Sequence, residues 1–395
     1  FTDHRQRAAA FPSLLEEETF AHDMGRKILE ILNRERKPLD LVMLGEYLAD
    51  EEERDPQFFL PVSRLPDQEP DAKAKRNLWL AETFAYFGVP DSARESAEDL
   101  GLVAVEYQLK DAEKSDFRNL LGNPDLTTVE ADAVLQILLG YVRQRKAFTL
   151  PKGRVQPDDP AFGRVTADIA YVLRREGIIN TNGWLPRVNK DNTVTSDNIV
   201  TDYLRRALSL ARDDALNIAE KMWDFLTAQS LLIENRGRWK LDHERLFVTR
   251  STLRYVCNRC GNVTAHSARN CCPRKACEGR LESRTFDPRS ENMIARWVSG
   301  TSEPKFSTLK SEEHTAQINK NLAKQIEDRF RAEGQEVRNN RSARERTYEE
   351  EPRIQGINLL SSTTTFEMGI NIGDLQKVLL RNEPPSSANY VQRVG

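Results

Sequence analysis

The fold is decided by three consecutive segments near the end of the chain: Ile357-Asn-Leu-Leu-Ser361, Ser362-Thr-Thr-Thr-Phe-Glu-Met-Gly-Ile-Asn-Ile-Gly373 and Gln376–Arg381. The first and last predict strands, because each carries a short apolar run bounded by turn residues. The middle segment is too polar and too rich in glycine for a core element, so it predicts a loop. Pro384-Pro385 ends the second strand, and a helix with a serine cap is expected to follow.

The residues before this stretch continue the same alternation of strands and helices. Lys305–Lys310 predicts a short strand. An amphipathic helix is expected after it, since apolar residues recur every four positions at Ile318, Leu322, Ile326 and Phe330. This order of elements is typical of a parallel α/β sheet, whose ligands sit at the carboxyl ends of the strands.

Three segments resemble motifs of superfamily 2 helicases. Thr363–Gly373 resembles motif V, Tyr390-Val-Gln-Arg-Val-Gly395 resembles the first half of motif VI, and Phe1–Phe11 resembles motif IV. The sequences of these motifs are similar to those of large bacterial DEAD/DEAH-box helicases with a zinc module, including DNA-repair helicases and helicases of antiphage-defence systems such as Druantia. The resemblance covers about residues 1–12 and 305–395. It implies the second RecA-like domain of an ATP-dependent nucleic-acid helicase or translocase, built on a parallel sheet.

The resemblance also implies which residues contact nucleic acid. Thr363 and Thr364 of motif V would contact the nucleic-acid backbone, and Arg5 of motif IV would lie at the nucleic-acid or nucleotide edge of the domain. DNA is the expected polymer and RNA the alternative. Repair or defence proteins are the other partners that the resemblance suggests.

A second set of residues is implied to contact the nucleotide. Gln392 would approach the γ-phosphate of ATP, with Arg393 next to it, and Gly369 would allow a close turn. Asn371 stands where the family has an aspartate that binds the ribose hydroxyls. An amide can still hydrogen-bond a hydroxyl, but it lacks the strength that charge gives the contact.

Two motifs of a complete ATPase are missing from the sequence. It contains neither G-x-x-x-x-G-K-[ST] nor D-E-x-[DH], which in this family belong to the first RecA-like domain and hold ATP and Mg²⁺. We therefore expect the chain to act with such a domain and to be a fragment of a longer protein.

A large insertion separates the motifs, and it divides the chain into four predicted parts. Residues 1–12 begin the RecA-like domain, 13–249 form a mainly helical insertion, 250–300 form a basic zinc-binding module, and 301–395 complete the RecA-like domain. Ser13-Leu-Leu-Glu16 is a capping box that predicts a helix to about Asn33. Further helices are predicted at about 39–50, 71–87, 128–146, 165–176 and 197–228.

The end of the insertion has the outline of a winged helix near 197–243. A helix runs into Leu231–Asn235, a turn at Arg236-Gly237 and then Arg238–Leu241, which predicts a hairpin. Winged helices often contact DNA. The alternative is a helical packing domain that ends in a hairpin.

All five cysteines fall within 21 residues of one another, and this clustering predicts a metal site. Cys257-x-x-Cys260 and Cys272-x4-Cys277 are two close pairs. Zinc prefers four nitrogen or sulfur ligands in a tetrahedron, which two such pairs on tight turns can supply. A closed set of four ligands leaves no position for substrate, so the zinc would be structural.

Two other residues could complete the same site. Cys271 is the spare cysteine, and it or His266 could replace one of the four ligands. Five free buried thiols are the alternative to a metal site.

The module around the cysteines is basic. From Arg250 to Arg296 there are nine arginines and Lys275 against four acidic residues, a net charge of +6. A basic zinc ribbon can lie on phosphates, and a solvated charged surface is the alternative. The whole chain has a net charge of −3, so any polyanion must be held by a local patch.

Composition excludes other classes of protein. The 395 residues are 39% apolar and 30% charged, with no long apolar run, so the sequence predicts neither a membrane span nor a signal peptide. We expect a cytoplasmic protein with no membrane partner. Besides the motor domain, the sequence leaves open a non-catalytic binding or scaffolding module built on a degenerate RecA fold.

Overall fold

The structure is a computed structural model that describes residues 2–55, 58–61, 70–88, 96–162, 169–173, 181–187, 194, 196–301, 311–314, 324, 326–328 and 359–362. The helices are α1 (Thr2–Glu35), α2 (Leu41–Arg54), α3 (Ala72–Gly88), α4 (Asp111–Leu121), α5 (Thr128–Arg143), α6 (Ile199–Leu208), α7 (Arg212–Ala228) and α8 (Met293–Val298). The strands are β1 (Leu39–Asp40), β2 (Val103–Tyr107), β3 (Ala170–Val172), β4 (Thr181–Gly183), β5 (Leu232–Asn235), β6 (Arg238–Leu241), β7 (Leu246–Arg250), β8 (Leu253–Cys257), β9 (Val263–Thr264), β10 (Leu281–Thr285), β11 (Ser311–His314) and β12 (Leu359–Ser362).

The chain divides into two compact units. One joins Phe1–Phe20 with Ser307–Gly395, and the other is Ala21–Phe306. In the first unit β11 and β12 pair in parallel. The strand predicted at Ile357–Ser361 is thus confirmed as β12, whereas the strands predicted at Lys305–Lys310 and Gln376–Arg381 lie outside the described residues.

The first helix begins earlier than the capping box predicts. Because α1 starts at Thr2, Ser13 lies inside the helix and not at its N-cap, so the predicted start was wrong. The three alanines at positions 8–10 are strong helix formers, and they allow the helix to extend across this signal. Further along, Met24, Ile28 and Ile31 form a buried stripe at helical spacing.

Helices α2 and α3 pack against each other through an apolar seam with a charged edge. Asp40 caps α2 by accepting a hydrogen bond from the Met43 amide at 2.7 Å. At the edge of the seam, Arg76 of α3 forms ion pairs with Glu46 at 3.1 Å and Asp50 at 2.7 Å. The predicted helices at 39–50 and 71–87 are confirmed.

Helices α2 and α5 contact a three-stranded antiparallel sheet with the order β1-β7-β2. Gln136 of α5 lies against the end of β2, where its amide accepts from the Tyr107 N–H at 2.8 Å and donates to the Tyr107 carbonyl at 2.9 Å. The Tyr107 hydroxyl donates to the carbonyl of Leu231 at 2.6 Å. Gln136 thus forms the two backbone hydrogen bonds that a neighbouring strand would form with Tyr107, and it joins the edge of the sheet to α5.

The helix predicted at 165–176 is wrong in its described part, where Ala170–Val172 forms β3. All three residues are buried, and β3 pairs in parallel with β4 and antiparallel with β6. An aromatic and a β-branched residue suit a buried strand better than a helix. The sequence pattern also missed α4, a helix that is mostly polar and carries only three buried residues.

The long helix predicted at 197–228 is interrupted. Ser209 adopts a left-handed conformation with φ of 55°, which ends α6 before α7 begins at Arg212. The predicted hairpin is confirmed: β5 and β6 pair antiparallel, and Arg236 and Gly237 form the turn with φ of 55° and 74°. Positive φ at both central residues is the geometry of a tight type I′ turn, which suits glycine at the second position.

Aromatic rings tie the four-stranded sheet β4-β3-β6-β5 to α7. Trp223 of α7 lies between Trp184 and Trp239, with ring centroids at 6.2 and 5.9 Å. Trp184 is fully buried, and its indole N–H donates to the Ala219 carbonyl at 2.8 Å. In the described part of the chain, no helix has both the length and the apolar character needed to cross a membrane.

The role of Gln136 can be tested by removing its amide. We expect Gln136→Ala to lower the free energy of unfolding by about 2 kcal/mol or more, because two buried backbone groups of Tyr107 lose their partner. Val129→Ala on the same helix is the control, since Val129 is 77% exposed and should cost less than about 0.5 kcal/mol. Chemical denaturation measures both, and similar values for the two variants would contradict the assignment.

Candidate metal centre

Two antiparallel strands position the four paired cysteines. β8 ends at Cys257, which pairs with Leu281 at the start of β10. Cys260 lies in the turn between β8 and β9, and Cys272 and Cys277 lie in the longer loop between β9 and β10. The sheet therefore brings the two ends of the segment 257–281 together and places both cysteine pairs at one end of the strands.

The four sulfur atoms form a compact cluster. All lie within 4.8 Å of one another, with Cys257 Sγ 3.8 Å from Cys277 Sγ and Cys260 Sγ 3.6 Å from Cys272 Sγ. Zinc–sulfur bonds of about 2.3 Å in a tetrahedron separate the sulfurs by about 3.8 Å. The cluster could therefore hold a metal ion such as zinc, and its members are the four predicted ligands.

The two alternative ligands lie outside this cluster. Cys271 Sγ is 3.3 Å from Nη1 of Arg206. Burial raises the pKa of the Cys271 thiol and lowers the pKa of His266 to about 4, so the imidazole is neutral. Among the described residues, His266 Nε2 has no hydrogen-bond partner.

Backbone amides of the first loop favour a thiolate. Gly261 adopts φ of 71°, and its N–H donates to the Cys257 carbonyl at 3.0 Å. Burial raises the pKa of Cys257. Hydrogen bonds from the N–H groups of Cys260 and Arg259, together with those from the side chains of Cys260 and Cys272, outweigh burial and lower this pKa to about 7. The thiolate is the form that binds a metal.

The cluster leaves no space beside Cys257. A Cβ placed on Gly279 would overlap Cys257 Sγ and would come within 2.7 Å of Arg259 Cβ. Only glycine allows the backbone to approach the sulfur so closely. This residue is part of the site although it offers no ligand.

Arg206 of α6 clamps the second loop from outside. Its Nη1 and Nη2 atoms donate to three backbone carbonyls, those of Cys272 at 2.9 Å, Cys277 at 2.8 Å and Arg274 at 3.1 Å. A guanidinium has five donors in a rigid plane, so it can satisfy several carbonyls at once.

Asp202, one turn before Arg206 on α6, completes this clamp. Its Oδ2 accepts from Nε and Nη2 of Arg206 at 3.0 and 2.8 Å and from the Ala276 amide at 3.0 Å. Ala276 has φ of 58°, a conformation that alanine adopts at a cost. The carboxylate thus orients the arginine and holds the strained residue of the loop.

Further contacts anchor the cysteine loops on α5 and its N-terminal turn. The Tyr141 hydroxyl donates to the Pro273 carbonyl, and the Arg269 amide donates to Glu130 at 3.3 Å. We call residues 254–285 the metal knot. Since α5 and α6 hold it, the metal knot has a fixed position on the helical part of the second unit.

The positive charge of the predicted basic module lies mainly on the surface. Of its ten basic residues only Arg254 is buried, where it bonds the Leu100 carbonyl at 2.8 Å and pairs with Glu291. The other nine are exposed. All the positive charge of the module except that of Arg254 is therefore exposed to solvent.

The other predicted site residues lie outside the described residues or have no described side chain. Arg5 belongs to α1 in its backbone. Thr363 follows directly after the end of β12. Five more predicted site residues lie outside the described residues: Thr364, Gly369, Asn371, Gln392 and Arg393.

Sequence reasoning missed Arg206, Asp202 and Gly279. An Asp and an Arg four residues apart on a helix usually form a surface ion pair, and their partners lie about 70 residues further on. Gly279, two residues after the last ligand, was the one signal that could have indicated a close approach.

Substitution of neighbouring cysteines tests the ligand set. We expect about one zinc ion per chain in the unmodified protein, a large loss in Cys272→Ser and nearly unchanged zinc in Cys271→Ser, because only Cys272 belongs to the cluster. Metal analysis of the purified variants measures this. Retention of zinc by Cys272→Ser and its loss from Cys271→Ser would reverse the assignment.

The close approach of Gly279 can be tested with alanine. Gly279→Ala should reduce the bound zinc and destabilise the protein by about 1–3 kcal/mol, because the added methyl overlaps Cys257 Sγ. Gly140→Ala is the matched control: a Cβ there meets nothing within 4 Å, and the change should be neutral or stabilising by up to about 1 kcal/mol. Equal zinc content and stability in both variants would contradict the geometry.

Comparison with known proteins gives one short similarity. A stretch of 39 residues is 56% identical to Druantia protein DruE of Escherichia coli (strain UMEA 4076-1). It covers 10% of this chain and 2% of that relative, so the chain spans a small part of the relative's length. No protein family and no solved structure matches the chain. The chain therefore has a local similarity to a Druantia protein.

Proposed function

We propose that this chain is the second RecA-like motor domain of a superfamily 2 helicase or translocase that acts on nucleic acid. The observation that carries the proposal is the position of the motif V resemblance directly after a parallel strand. β12 runs parallel to β11 and ends at Ser362, and Thr363 and Thr364 follow. Loops at the carboxyl ends of parallel strands are where α/β sheets bind their ligands.

The local similarity to Druantia protein DruE supports the same proposal. The motifs of this chain also resemble those of large bacterial helicases of antiphage-defence systems such as Druantia, so the two similarities agree. The shared stretch is short, so the activity of the whole relative comes to this chain only as a proposal. We also propose that the protein acts in the cytoplasm, in antiphage defence or in DNA repair.

The inserted part is proposed to be a winged helix that carries the metal knot. Helix α5 is followed by strands β3 and β4, helices α6 and α7 and the hairpin β5–β6, and β3 pairs with both β4 and β6. Strand β4 is an addition to the winged-helix order. Helix, strand, two helices and a hairpin, with the first strand beside the last, is the arrangement of a winged helix. Such modules often contact DNA.

ATP with Mg²⁺ is proposed to bind between this domain and a first RecA-like domain. That partner domain would supply the phosphate loop and the acidic residue for magnesium. Gln392 and Arg393 would contribute donors from this side, and Gly369 and Asn371 would lie near the nucleotide. The zinc of the metal knot would have no part in the phosphate chemistry, since four thiolates leave it no open position.

One observation favours a second function, that of a non-catalytic scaffold. Helix α7 carries four acidic and two basic residues, and Asp213, Asp214 and Asp224 are exposed. An acidic surface suits a protein partner better than a phosphate backbone. In that case the module would connect proteins, and its motor motifs would be degenerate, as Asn371 already suggests.

Steady-state ATP hydrolysis by the intact protein separates these functions. This chain alone should hydrolyse no ATP, and the intact protein should be stimulated by single-stranded DNA. Gln392→Ala should lower turnover at least about tenfold, because it removes a donor aimed at the transferred phosphoryl group. Equal rates for the unmodified protein and Gln392→Ala would favour the scaffold.

Thr363→Ala is the matched variant in the other motif. It should weaken the stimulation by DNA and leave much of the basal hydrolysis, because its proposed contact is with the strand and not with ATP. If both variants lost basal hydrolysis to the same degree, the two motifs would not have the separate roles proposed for them.

A further inference from the structure

Both cysteine loops carry exposed basic residues between or beside the ligands. Arg259 lies between Cys257 and Cys260, and the others follow at Arg274, Lys275 and Arg280. All four are exposed. We call these four residues the knot cations.

Backbone contacts bring the two loops together. The Asn258 amide donates to the Arg280 carbonyl at 3.0 Å, and the Arg280 amide donates to Asn258 Oδ1 at 3.1 Å. Arg280 also forms an antiparallel bridge with Cys271, next to the ligand Cys272. Each knot cation is within three residues, along the sequence, of one of the four clustered cysteines. The sulfur atoms of these cysteines all lie within 4.8 Å of one another. The knot cations therefore share one small end of the metal knot.

The knot cations are poorly neutralised by the protein itself. Arg259 pairs with Glu278 at 2.8 Å, but both side chains are highly exposed, at 63% and 80%, and such pairs contribute little. In the part of the chain that the structure describes, Arg274, Lys275 and Arg280 form no ion pair.

The charge of the metal site does not account for these cations. Four thiolates around a dication leave a net charge of about −2, and Arg206 already places a guanidinium beside the loop that holds Cys272 and Cys277. Only 15% of the Arg206 side chain is exposed, whereas the knot cations extend into solvent. An exposed positive patch on a rigid support fits an external polyanion.

Helix α7 offers no comparable surface. In helix-turn-helix modules the second helix enters the major groove, and here that position is held by α7. Its exposed aspartates would repel phosphates, and Arg212 at its start is engaged with Asp197 at 3.0 Å. Lys221 is its remaining basic residue.

We propose that the knot cations of the metal knot bind the phosphodiester backbone of nucleic acid without reading its sequence, and that α7 takes no part in this contact. The proposal rests on the nucleic-acid part of the proposed function and does not need ATP hydrolysis. The metal and the Arg206–Asp202 clamp supply the rigid support for the cations. Contacts with phosphate carry no direct sequence information.

The experiment measures binding of the chain to short labelled oligonucleotides by fluorescence anisotropy at several salt concentrations. In one variant all four knot cations become Gln: Arg259→Gln, Arg274→Gln, Lys275→Gln and Arg280→Gln. The dissociation constant should rise at least about tenfold, and the slope of log affinity against log salt should fall by about 2 to 4, since each phosphate contact adds about 0.7 on a single strand and about 0.9 on a duplex. DNA and RNA strands are compared, and similar losses are expected because both share the phosphodiester group.

A second variant loses the same charge elsewhere. It combines Lys37→Gln, Lys73→Gln, Lys152→Gln and Lys221→Gln, all exposed lysines, of which Lys221 lies on α7. This control should keep its affinity and salt slope within about twofold. Equal weakening of both variants would show a general charge effect and overturn the proposal, as would unchanged binding of the knot variant.

Zinc content separates loss of contact from loss of the fold. If the fourfold variant loses zinc, the smaller variant Arg274→Gln with Lys275→Gln decides, because neither side chain makes a described hydrogen bond or ion pair. It should retain zinc and bind at least about threefold more weakly than the unmodified chain. Arg274→Lys alone should keep normal binding if charge is the cause, and unchanged affinity in the smaller variant would refute the proposal. ATP hydrolysis is not measured, so a failure here leaves the motor proposal standing.

Discussion

The clamp formed by Arg206 and Asp202 is the interaction on which the metal knot depends. The knot has a small core of its own, since its buried cluster consists of three cysteines and Leu281 with Tyr255 and Cys260 at its edge. Such a cluster cannot fix the orientation of a loop by apolar burial alone. The clamp does so by hydrogen bonds to carbonyls that no strand satisfies, and the carboxylate keeps the guanidinium in one orientation.

Features set by local spacing could be predicted from the sequence. The two cysteine pairs, the turn at Arg236-Gly237 and the helices near 39–50 and 71–87 each depend on residues a few positions apart. The sequence pattern predicted the wrong secondary structure where contacts with residues outside the local segment determine it. Residues 170–172 form a strand because β6 lies beside them, and the start of α1 is set by alanines that precede the capping signal.

The clamp could not be predicted for the same reason. Arg206 and Asp202 look like an ordinary helical ion pair, and the sequence does not show that Cys272 and Cys277 come to lie against them. The choice between Cys271 and Cys272 was open for a related reason. Adjacent residues on an extended chain point in opposite directions, so only the path of the loop determines which sulfur joins the cluster and which one lies beside Arg206.

Helix α6 packs into the helical core on one side and bonds the metal knot on the other. These contacts restrict how the metal knot can move when a ligand binds. The buried side of α6, with Tyr203, Leu204 and Ala207, packs into the helical core, while Asp202 and Arg206 project to the metal knot. A displacement of the metal knot by a bound strand would have to break several charge-assisted hydrogen bonds or move α6 with it. Because packed helices resist small deformations, the second alternative requires the core around α6 to shift as a body. The metal knot therefore keeps its position on α6 unless the hydrogen bonds of the clamp break.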